Sequence, residues 1–122
     1  MADDSKVVIN LATGLEDAER VAAAFLVAGA AVEAGKQVLM FLTKEAVRLA
    51  LPGYAGGVAC EGCPPLARLF EQYLEGGGVL LVCPICFNAR KLVEAELVSG
   101  ARIGGATPLW QWIGEGATVF SY

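Results

Sequence analysis

Histidine is absent from all 122 residues, which removes the commonest general base and the commonest zinc ligand together. Charged side chains are also scarce, at 18% against about 25% in an average soluble domain. Only nine are basic, and none forms a cluster longer than Arg90-Lys91. Nucleic acid is therefore not an expected partner, because phosphate binding needs concentrated Lys and Arg. A long hydrophobic run is missing too. The longest, residues 21–32, is twelve residues, whereas a membrane-spanning helix needs about twenty. The opening Met1-Ala2-Asp3-Asp4-Ser5-Lys6 is acidic and leads into a strand-like run, unlike a secretory signal. The expected location is the cytoplasm, with no membrane span.

What the chain has in excess is apolar surface, at 56% of residues against about 45–50% usually. A single domain spanning 1–122 can bury about two-thirds of its unfolded surface and needs no disulfide to fold. Apolar residues beyond that capacity go most readily into a subunit interface, so a homo-oligomer is expected. No repeat, low-complexity tract or linker divides the chain.

Strand-like and helix-like segments alternate. Residues 6–13 (Lys-Val-Val-Ile-Asn-Leu-Ala-Thr), 37–43 and 79–82 are continuous apolar runs of the kind buried on both faces of a sheet. Short strands are expected at 102–104 and 117–122. Between them, Ala18, Val21, Phe25, Ala28 and Val32 recur at helical spacing behind Glu16-Asp17 and stop at Gly35. The opposite face carries Ala22, Leu26 and Ala30, so this helix needs cover on both sides. Helices are also expected at 44–51, 66–74, 83–98 and 107–113. The alternation predicts an α/β fold, a mostly parallel five-stranded sheet with helices on both faces in three layers.

All four cysteines fall in two Cys-x-x-Cys pairs, Cys60/Cys63 and Cys83/Cys86. In a reducing compartment such pairs are more often redox-active, catalytic or metal-binding than structural. Cys83 follows the third strand, at the sheet edge where ligands of parallel sheets collect. Pro84 behind it suits a first helical position, which makes Cys83 the N-cap. There the sulfur is expected to accept from amides near Ile85 and Cys86, and the helix dipole to favour the thiolate. Cys86 shares the first turn and can resolve a disulfide or mixed persulfide. Cys63 also precedes a proline, Pro64, and is a second candidate cap. The spacing Cys-x₂-Cys-x₁₉-Cys-x₂-Cys also fits four thiolates around zinc or an iron–sulfur cluster. A dithiol redox protein and simple packing of small buried cysteines are further readings. Trp110 and Trp112 cannot share a helical face, so one is expected inside and the other outside.

Val8-Ile9-Asn10-Leu11, the segment 35–42 and above all Val79-Leu80-Leu81-Val82-Cys83-Pro84-Ile85-Cys86 resemble the DsrE/DsrF-like family of small sulfur-relay proteins, of the TusD and YchN types. The resemblance covers essentially the whole chain. It implies a flavodoxin-like subunit that assembles into trimers or hexamers. It also implies a sulfur carrier or sulfurtransferase in which Cys83 bears persulfide sulfur between donor and acceptor proteins, with Cys86 matching a second cysteine of YchN-like members. The Cys60/Cys63 pair lies outside that family pattern and stands as a second dithiol or half of a metal site.

Overall fold

The computed structural model describes residues 5–57 and 60–122. Its strands are β1 (Lys6–Leu11), β2 (Gln37–Leu42), β3 (Val79–Val82), β4 (Ala101–Ile103) and β5 (Thr118–Ser121). The helices are α1 (Ala18–Glu33), α2 (Leu66–Glu75), α3 (Pro84–Ala89) and α4 (Ala106–Ile113). The strands form one sheet in the order β4-β3-β2-β1-β5, and every pairing is parallel. Steps from β1 to β4 all move one way, so right-handed crossovers lay α1, α2 and α3 on one face. The return from β4 to β5 lays α4 on the other.

Register fixes which side chains share a face. Val7, Ile9 and Leu11 stand beside Val38, Met40 and Leu42, and the last two beside Leu80 and Val82. These eight form the main core together with Val21, Phe25, Phe70, Tyr73 and Phe87 from the helices. Val8, Leu39 and Leu81 point the other way and are equally buried, as continuous apolar strands require. The edge strands differ: β4 has Arg102 exposed between two half-buried residues, and β5 is exposed along its whole length.

The helix α1 starts where Asp17 accepts from the Arg20 amide at 3.1 Å and stops at Gly35, whose φ of +84° suits only glycine well. It meets α2 through Phe25, whose ring lies 5.7 Å from Phe70 and edge-on to Tyr73 at 5.8 Å. Burial pushes the Tyr73 hydroxyl well above its ordinary pKa. It stays protonated and donates to the Val79 carbonyl at 2.7 Å, tying α2 to the start of β3. Gly78 must be glycine because any Cβ there would enter the Tyr73 ring.

The short helix expected over 44–51 is of the 3-10 type, Lys44–Ala50. The helix expected over 83–98 ends at Ala89. Lys91 turns left-handed at φ +55°, the Leu92 amide donates to Phe87 and the Lys91 amide to Asn88, a Schellman stop. Leu92, Leu97 and Val98 still pack on the core, delivered by turns. The Val98 amide is held by the Ala50 carbonyl at 2.9 Å, which fixes the path and rules out a continuous helix.

Candidate functional site

At the carboxyl ends of the strands, neighbouring loops are stitched by the last ladder bonds. The Thr43 amide donates to Leu11, Cys83 to Leu42 and Gly104 to Val82, each at 3.0 Å. Gly14 comes so close that a Cβ would lie 2.9 Å from the Glu45 carbonyl oxygen. A Cβ on Gly105 would sit 3.7 Å from Pro84. Cys83 therefore stands on a rigid rim between the β2 and β4 loops.

Cys83 is the N-cap of α3, with Pro84 at the first helical position and the Phe87 amide donating to its carbonyl at 3.0 Å. The expected capping bond from amide to sulfur does not form. The helix is only six residues long, so its dipole is correspondingly short. Cys83 and Cys86 are both free thiols and both partly exposed. Ile85 between them is 79% exposed, an apolar knob beside the sulfurs.

Glu45 organises the rim. It accepts from Arg90 Nε at 2.7 Å and from Arg48 Nε at 2.9 Å, while Arg90 Nη1 also donates to the Cys86 carbonyl at 3.1 Å. The hydrogen bond from Arg90, followed by that from Arg48, holds the Glu45 carboxyl below its ordinary value of 4.5. A carboxylate with a depressed folded-state pKa contributes stability that is present above about 4.5 and lost as pH falls through the lower value. Glu45 is 39% exposed, so the contribution stays within the range of about 0–1 kcal/mol for exposed pairs. In urea titrations, the advantage of the wild type over Glu45→Gln is expected near neutral pH and to shrink below pH 4.5; an advantage constant down to acid unfolding contradicts the assignment. The Glu45/Arg48 spacing is visible in the sequence as a helical ion pair. Arg90, forty-five residues away from Glu45, carries no such signal.

Cys60 and Cys63 form a disulfide with Cα atoms 5.4 Å apart. The Cys63 amide donates to the Cys60 carbonyl at 3.2 Å, and Gly62 supplies the turn at φ +78°. Pro65, not Cys63, is the N-cap of α2, so the second expected cap is corrected. Among the described residues no three Cys, Asp or Glu side chains group as metal ligands. With two of the four sulfurs bonded to each other, the structure does not assemble the four-thiolate zinc or iron–sulfur arrangement. Trp112 lies half-buried with Lys6 Nζ 5.3 Å from its ring centre, and Trp110 is 69% exposed, as the spacing requires.

The family model described as the DsrE/DsrF-like family matches residues 5–122. The chain belongs to that family. The ychN protein of E. coli has the same fold, with a TM-score of 0.78 and 19% identity over 98% of this chain and 100% of that one. MTH1491 from Methanobacterium thermoautotrophicum, a protein of unknown function, is similar at 0.63 and 17% identity, again over 98% and 100%. At these identities the likeness concerns fold alone. Among curated sequences, uncharacterized protein MJ0760 of Methanocaldococcus jannaschii is 29% identical over 112 residues. Those residues are 92% of this chain but 40% of the relative, so the chain spans well under half that protein's length. Among the described residues no helix is long and apolar enough to cross a membrane.

Proposed function

We propose that this DsrE/DsrF-like domain is a cytosolic sulfur carrier or sulfurtransferase with Cys83 as the sulfur-bearing residue. The observation that carries the reading is a free, partly exposed thiol directly after β3, on the loop edge where parallel sheets bind ligands. Its thiolate attacks the outer sulfur of a donor persulfide; the S–S bond of the donor breaks and the donor leaves as a thiolate. Cys83 then carries –S–SH. An acceptor thiolate takes the outer sulfur by the same displacement and returns Cys83 to thiolate. Where no acceptor engages, Cys86 can resolve the persulfide by forming a disulfide with Cys83 and expelling hydrosulfide. Donor and acceptor are partner proteins, and Ile85 offers them an apolar contact beside the reacting sulfur. Cys60/Cys63 serve as a second dithiol once reduced.

Incubation with a small-molecule persulfide donor, followed by intact-mass spectrometry, tests the reading. One added sulfur, removed by reductant, is expected; no adduct overturns it. The working form is a trimer or hexamer. Leu26 on the outer side of α1, and Val119 and Phe120 on β5, are exposed apolar residues that one subunit leaves uncovered. Size-exclusion chromatography with light scattering is expected to show three or six subunits, and a monomer at every concentration overturns that assembly.

A further inference from the structure

The two Cys-x-x-Cys pairs have equal spacing and different states. Cys60/Cys63 is closed as a disulfide, whereas Cys83/Cys86 is open. The closed pair sits on a glycine-containing turn. The open pair sits on α3, which at six residues is too short to hold itself, since isolated helices below about 12–15 residues are marginal. Something outside the helix must order it. The Arg90 amide, which would ordinarily bond the Cys86 carbonyl, donates instead to Phe87 at 3.2 Å. The side chain of the same residue takes over: Arg90 Nη1 donates to the Cys86 carbonyl at 3.1 Å while Nε grips Glu45 at 2.7 Å. Glu45 is in turn fixed by Arg48, and the Glu45 backbone is packed against Gly14. The backbone of Cys86 is thus anchored, through one guanidinium, to the loop after β2.

We propose that Arg90 is a positioning residue that holds the Cys83/Cys86 pair open. Closure requires the two sulfurs to reach a bonding distance of about 2.05 Å at a restricted dihedral, and an anchored Cys86 backbone narrows the adjustments by which they can reach it. For sulfur transfer, and here the inference rests on the carrier reading, the open pair retains the cargo. In the losing reaction the Cys86 thiolate attacks Cys83 Sγ, the bond from Cys83 Sγ to the outer sulfur breaks, and that sulfur departs with the electron pair and a proton as hydrogen sulfide. The Cys83–Cys86 disulfide remains. No external oxidant enters, because the persulfide is already at the disulfide oxidation level. Arg90 slows this discharge and leaves the persulfide for an acceptor.

The full chain equilibrated in glutathione redox buffers, alkylated and mapped by peptide mass spectrometry, tests the anchor without any sulfur loading. Arg90→Ala is expected to raise the Cys83–Cys86 disulfide constant about fivefold, the scale of one ordinary intramolecular hydrogen bond. Arg90→Lys is expected nearer the wild type, and the Cys60–Cys63 constant unchanged throughout, which a general loss of structure would not give. An unchanged Cys83–Cys86 constant in folded Arg90→Ala overturns the proposal. If that variant does not fold, Glu45→Gln is expected to shift the same constant in the same direction by less, and no shift overturns it. With persulfide loaded, Arg90→Ala should release sulfide faster, and adding Cys86→Ser should stop the release. Absence of loading alongside an intact disulfide shift retires the carrier reading and leaves the anchor standing; loading without the shift retires the anchor alone.

Discussion

Cys83→Ser is expected to abolish the reductant-sensitive sulfur adduct completely, while Cys86→Ser still loads and loses its sulfur more slowly in the absence of an acceptor. The asymmetry follows from position. Cys83 is the N-cap on the rim between the β2 and β4 loops, and its amide extends the β3 ladder to Leu42. Cys86 is a turn further in, partly packed against the core. Serine preserves the cap geometry and removes only the soft nucleophile, so loss of loading reports chemistry instead of misfolding. Single-turnover loading followed by intact mass separates the two variants. Equal loading of Cys83→Ser and wild type would transfer the role to another cysteine.

Phe25→Ala is expected to be the most damaging single change to stability. The ring is fully buried and joins α1 to both Phe70 and Tyr73 of α2. Tyr73 is itself pinned to Val79, and Gly78 leaves no slack behind its ring, so the cavity cannot collapse. Truncating a buried Phe costs about 3–5 kcal/mol, against a total of about 5–15 kcal/mol for a domain of this kind. Urea denaturation should show the loss as a lower midpoint with an unchanged slope. A change below about 1 kcal/mol would mean that α1 and α2 repack freely, contrary to the aromatic geometry.

The centre of the sheet was legible because β1, β2 and β3 are apolar on both faces. Residues 79–82 match β3 at both ends, β1 and β2 end before the residues that carry the chain out of the sheet, such as Ala12-Thr13, β4 lies one residue earlier than expected and β5 is one residue shorter at each end. The Cys83 cap was legible because Cys-Pro after an apolar strand has a direct steric meaning. The length of α3 was not. Its stop uses Lys91 in a left-handed conformation rather than a glycine, and the constraint that bends the chain there, Val98 to Ala50, is a long-range backbone bond. The same holds for the Glu45–Arg90 anchor, which exists only after β2 and β3 are paired. The Cys60–Cys63 disulfide is the oxidised form of the second dithiol read there, a state that spacing alone does not separate from metal ligands.

Peptide mapping of wild-type protein after loading by a persulfide donor locates the transferred sulfur. With trapping by a thiol-specific alkylating agent, the extra sulfur is expected on the peptide containing Cys83 and Cys86, attached to Cys83. Sulfur found on the peptide containing Cys60 and Cys63, with Cys83 unmodified, would contradict that assignment.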